Sequence, residues 1–110
     1  MTDTTATLAQ LKKHIQDFCD ARAWRENENA KDLVMALSVE AAELTEIFIW
    51  LPSDAADTVK QDFTEFEHLQ EELADIFWYV CRLCMHFTID LSHAVEKKTV
   101  KNAEKYPAKK

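Results

Sequence analysis

The sequence predicts an all-α protein, a four-helix bundle completed by self-association. Three observations carry this. Apolar residues recur every three or four positions in four separate segments. Only Pro52 and Pro107 interrupt them, and no stretch alternates with period two long enough to predict a sheet. A chain of 110 residues suits one domain spanning 1–110, and one this short buries a modest core, so wide apolar helix faces imply self-association.

The first helix is expected from about Thr5 to Trp24, with Leu8, Leu11, Ile15 and Phe18 on one face. The second covers roughly Asp32 to Leu51 and stops at Pro52. Ser53 to Thr64 connects, with Ser53 and Asp54 as candidate caps of a short helix. A long third helix runs from about Thr64 to Phe87. The fourth covers about Leu91 to Lys105, with Asp90 as N-cap and Pro107 closing it.

Composition excludes several function classes. Glycine is absent, which rules out P-loops and dinucleotide-binding turns, so phosphates would have to be handled by metal and side chains. The net charge of −7 argues against a general nucleic-acid binder. Residues 91–110 hold six lysines against Glu96 and Glu104, net +4, leaving −11 on the first ninety. An acidic body with a basic tail is a layout that could hold a metal and a phosphate at neighbouring places. No apolar run is long enough for a membrane span, and the N-terminus is polar, so a reducing cytoplasm is the expected compartment. Cys19, Cys81 and Cys84 are expected to be free, buried core residues; Cys81 and Cys84 form a C-x-x-C inside an apolar helix with no second cysteine pair.

The carboxylates of the two central helices stand out. Glu40 and Glu43, three apart, share a helix face with Leu33, Ala36, Ile47, Trp50 and Leu51. Glu72 and Asp75 repeat the spacing on helix three, in a polar stripe with Glu65, His68, Tyr79, Arg82 and His86 on an otherwise apolar helix. Burying a carboxylate costs several kcal/mol unless it is paired or binds metal. Hard oxygen donors without a Cys or His pair suit Mg²⁺ or Mn²⁺ rather than Zn²⁺. The plainer alternative is a set of surface acids on exposed helices. On helix four, Lys98, Lys101, Asn102 and Lys105 share one sector, either a phosphate-facing patch or a solvated basic helix end.

Glu40-x-x-Glu43, 28 intervening residues, then Glu72-x-x-Asp75 resembles the E-x-x-E…E-x-x-D signature of the MazG-like all-α NTP pyrophosphohydrolases. The match extends through Phe18, Arg22 and Trp24 (F-x-x-x-R-x-W), Lys31-Asp32-Leu33 (R-N-L), Glu40 to Trp50, Glu71 to Tyr79 (E-E-L-x-D-x-x-x-Y), and Lys98, Asn102 and Lys105-Tyr106-Pro107. It covers about residues 10–107 and is nearest to the dCTP pyrophosphatase branch. The resemblance implies hydrolysis of (deoxy)nucleoside triphosphates to the monophosphate and pyrophosphate, as nucleotide-pool house-cleaning by a dimer or a tetramer built as a dimer of dimers. It further implies Mg²⁺, with Mn²⁺ as substitute, on Glu40, Glu43, Glu72 and Asp75, and Glu40 or Glu43 acting on the attacking water. Trp24 and Trp50 would flank the base, Tyr79 and Asn102 would make polar contacts, and Lys31 and Lys98 would meet phosphate. Asp32, Ala42, Lys31, Lys105 and Ile15 depart from the family's usual Asn, Gly, Arg, Arg and, in the dCTP branch, His.

The residues also admit two other readings. Glu65-x-x-His68 and Asp90-x-x-His93 resemble half-motifs of a di-iron bundle, but Asp90 sits at a helix start. The non-enzymatic alternative is an oligomeric helical interaction module whose acidic stripe grips a basic partner.

Overall fold

The computed structural model describes every residue except Arg25 and Lys110; Lys110, counted in the basic tail above, lies outside the described residues. Helices α1 (Leu8–Ala21), α2 (Ala30–Phe48), α3 (Phe63–His86) and α4 (Leu91–Lys105) account for most of the chain. A 3₁₀ helix, Ser53–Gln61, joins α2 to α3, and there is no strand among the described residues. The all-α expectation holds.

Helix starts follow side-chain chemistry. Thr7 and Gln10 form a capping box, so α1 begins at Leu8, three residues after the expected Thr5. Asn29 and Asp32 form another, so α2 begins at Ala30, ahead of the expected Asp32. Asp62 caps α3 and Asp90 caps α4, the latter by accepting from the His93 backbone N–H at 2.9 Å. That bond commits the Asp90 carboxylate to a helix end, which removes it from the di-iron reading. The 3₁₀ helix differs from expectation: Pro52 precedes it and no side chain caps it, so Ser53 and Asp54 are not caps.

α2 and α3 pack as an antiparallel pair, with α1 against α3 and the 3₁₀ helix closing the far end of α3. The core is small: Ile15, Cys19 and Cys81 cluster, with Phe77, Trp78 and Met85 packed against them. Cys19, Cys81 and Cys84 are all free and buried, as expected. By contrast α4 packs on no other element beyond marginal contact and buries none of its residues. The radius of gyration is accordingly 16.9 Å, against about 13 Å for a compact chain of this length. No helix among the described residues is long and apolar enough to cross a membrane.

A chain without glycine must still end its helices. α1 and α3 both end in a Schellman motif: Trp24 N donates to Cys19 O (3.0 Å) and Ala23 N to Asp20 O (3.2 Å), while Ile89 N donates to Cys84 O (2.7 Å) and Thr88 N to Met85 O (3.3 Å). Ala23 and Thr88 occupy the left-handed position with φ of 47° and 54°. A Cβ there costs roughly 1–2 kcal/mol, more awkwardly for branched Thr88. Ala23→Gly and Thr88→Gly should each therefore raise stability, by about 1 kcal/mol. Urea denaturation checks this, and unchanged or lowered midpoints would contradict the assignment.

Candidate active site

The antiparallel register of α2 and α3 determines what meets at their seam. Near the 3₁₀ helix, Ile47 and Glu65 line one hollow; at the opposite end, Leu33 and Arg82 line another. Midway between them the carboxylates come together. One oxygen from each of Glu40, Glu43 and Glu72 lies within 4.8 Å of the other two. Glu72 is buried with 6% exposure. Oε2 of Glu40 and Oε2 of Glu72 are buried with no hydrogen-bond partner. Two carboxylates facing each other can share a hydrogen bond only if one of them holds a proton.

Electrostatics register that conflict. Burial, the contact with Glu72, and the charges of Asp75, Glu43 and Glu72 push the Glu40 pKa up to about 7. Asp75 is also raised, by burial and then by Glu43 and Glu71. Asp75 therefore belongs to the same electrostatic cluster, although the tight oxygen group comprises the three glutamates. His68 Nε2 stands 3.3 Å from Glu72 Oε1, while Oε2 has no partner.

The chemistry of this donor set fits a hard divalent cation. It offers oxygen ligands only, partly desolvated and mutually repelling, with two buried oxygens lacking any donor. A cation would satisfy both oxygens and cancel the repulsion.

The remaining expected site residues are placed unevenly. Tyr79, buried, follows Asp75 by one turn on α3. Lys31 is exposed at the start of α2. Trp24 is 41% exposed, its ring edge-on to Phe18 at 5.9 Å; Phe18 in turn carries the Arg22 guanidinium 3.7 Å above its face. Trp50 is 88% exposed: α2 ends at Phe48, so Trp50 leaves the helical face that would have aligned it with the glutamates. Lys98 and Asn102 lie exposed on the unpacked α4, and a single chain does not bring them to the carboxylates.

One pairing was missed. Arg82 Nη1 donates to Glu28 Oε1 at 2.7 Å, with both side chains largely covered. The residues are 54 apart in sequence, so no local pattern signals the bond. The available hint was a charged residue on an apolar stretch of helix.

Comparison with known proteins gives a consistent result. Residues 35–110 match the MazG-like family. The chain is 33% identical over 101 residues to dCTP pyrophosphatase 1 of Bos taurus, covering 92% of this chain and 60% of that protein. It is 31% identical over 102 residues to dCTP pyrophosphatase 1 of Homo sapiens, covering 93% and 60% respectively. The chain thus spans about 60% of the length of these curated relatives. Among solved structures, a pyrophosphatase from Archaeoglobus fulgidus superposes with a TM-score of 0.77 at 31% identity, over 98% of this chain and 99% of that one.

The raised Glu40 pKa sets a pH dependence. Between pH 4.5 and about 7 the native state holds a proton there that the unfolded chain, with the ordinary carboxyl value of 4.5, has lost. Its stabilising contribution is present below pH 4.5 and is lost as pH rises through about 7. With chelator present, the thermal midpoint should fall between pH 5 and pH 8, and Glu40→Gln should flatten that fall. A midpoint that rises over the same range in wild type, or an equally steep fall in the variant, would contradict the assignment.

Proposed function

The chain belongs to the MazG-like family, and from that premise we propose that it hydrolyses (deoxy)nucleoside triphosphates to the monophosphate and pyrophosphate. The observation that carries this is the cluster of Glu40, Glu43 and Glu72 with two buried, unpartnered oxygens. The names of the relatives, dCTP pyrophosphatase and pyrophosphatase, point the same way.

In this reading Glu40, Glu43, Glu72 and Asp75 hold Mg²⁺, for which Mn²⁺ can substitute. When bound, the ion supplies charge neutralisation for the triphosphate. Glu40 or Glu43 orients a water toward the α-phosphorus and takes its proton. The bond from that phosphorus to the bridging oxygen breaks, and the oxygen leaves with pyrophosphate. Lys31 and Lys98 meet the phosphates, Tyr79 and Asn102 make polar contacts, and Trp24 and Trp50 flank the base. The role is house-cleaning of the nucleotide pool in the cytoplasm, where three free thiols are stable.

We further propose that copies of the chain assemble into a dimer or a dimer of dimers. Support comes from the unpacked α4 with exposed Val95 and Val100, and from exposed Val34, Met35 and Val39 on α2. Assembly would give α4, and with it Lys98 and Asn102, a surface to rest on.

Two measurements test these proposals. In a pyrophosphate-release assay with Mg²⁺ and a panel of natural and modified nucleotides, Glu43→Ala and Asp75→Ala should each lower kcat by about 10²–10³-fold. No turnover of any nucleotide by wild type, or full activity in both variants, would overturn the activity. Light scattering during size exclusion should give the mass of two or four chains; 12.8 kDa at micromolar concentration would overturn the assembly.

A further inference from the structure

A cleft of about 200 Å³ lies at the end of the α2–α3 seam, where the C-terminus of α1 and the loop before α2 close over it. Trp24, Glu28, Leu33, Arg82, Met85 and Gln16 are among its lining residues. Its position follows from the register already described. Leu33 precedes Glu40 by seven residues on α2, and Arg82 follows Asp75 by seven on α3. Seven residues are two turns, so each cleft residue keeps the face of its carboxylate while standing about 10 Å along the seam. That span is comparable with the separation of phosphate and base within one nucleotide.

Asp20, Glu26 and His86 also line the cleft, and beside them stand two contacts suited to a base. Trp24 is held by the Schellman motif at Ala23 and by its edge contact with Phe18, and it remains 41% exposed. Stacking on such a ring is nearly indifferent to which base it meets. Discrimination therefore falls to a polar group. Among the described residues, Arg82 is the cationic fork lining the cleft, with a side chain only 13% exposed. Its guanidinium carries five N–H donors, of which the bond to Glu28 uses one, at Nη1. That bond restrains the fork, whose central carbon lies 5.9 Å from the centre of the Tyr79 ring.

We propose that Arg82, oriented by Glu28, is the specificity residue of the site and reads a nucleobase that presents two adjacent hydrogen-bond acceptors. Guanine offers O6 and N7, and cytosine offers O2 and N3. Adenine and thymine place a donor beside each acceptor on the corresponding edges. The proposal rests on the pyrophosphohydrolase reading above and adds to it the group that selects the substrate. A pair that served only to pin the loop to α3 would affect all nucleotides alike when broken. A base-reading arginine changes their ratios.

The test compares kcat/KM for dGTP, dCTP, dATP and dTTP with Mg²⁺ in wild type, Arg82→Met and Glu28→Gln. Thermal melts of each variant accompany the assay. Wild type should favour dGTP or dCTP, and the two arms show which. Arg82→Met should reduce that preference by about tenfold or more, with dATP and dTTP changing less. Glu28→Gln, which keeps the shape and an acceptor for Arg82, should fold normally and weaken the preference in the same direction. A wild-type preference for dATP or dTTP would overturn the proposal, as would unchanged ratios in both variants or an equal loss on all four nucleotides. Turnover with unaltered ratios would defeat this inference alone; absence of turnover with every nucleotide would defeat the parent reading.

Discussion

The seam between α2 and α3 gathers negative charge where water has been partly excluded. Glu40, Glu43 and Glu72 meet within 4.8 Å, and two of their oxygens are buried without a donor. A surface acid pair relaxes into water at little cost, whereas these groups are held by the packing of two helices against each other. The conflict ends if Glu40 keeps a proton, or if a hard cation enters. Which of these happens at neutral pH separates a passive helical bundle from an enzyme.

The rest of the structure is arranged around that seam. Leu33, Ile47 and Val59 close it with apolar contacts at both ends. Cys81 and Cys84, on the back of α3, fill the space against α1 and leave the polar stripe facing α2 and the loop. The Arg22 guanidinium lies over Phe18, and Phe18 supports Trp24, so the Phe18-to-Trp24 motif acts first as a local scaffold. α4 is the exception. Its lysines and exposed valines have no place to rest within one chain, which is how a helix meant for another copy would look.

The sequence made much of this legible, for identifiable reasons. Both glutamate pairs were visible because three-residue spacing on a helix fixes a common face, and their apolar neighbours showed which face was covered. The bounds of α4 follow from Asp90 and Pro107, which act locally. Other features depended on competition between local signals. The Asn29–Asp32 capping box starts α2 at Ala30, two residues before the apolar periodicity places it. Pro52 marked the end of α2, but the helix stops at Phe48, and those few residues carry Trp50 off the carboxylate face into solvent. The Glu28–Arg82 bond was out of reach, because it depends on how a loop folds over a helix end.

The most direct test of the central claim is a titration of Mn²⁺ into the metal-free protein at pH 7.5, followed by calorimetry and by electron paramagnetic resonance of the free ion. The carboxylate seam predicts saturable binding that Glu72→Gln weakens at least about tenfold, since a removed anionic oxygen is a lost ligand. Absence of saturable binding in wild type, or equal affinity in the variant, would contradict it.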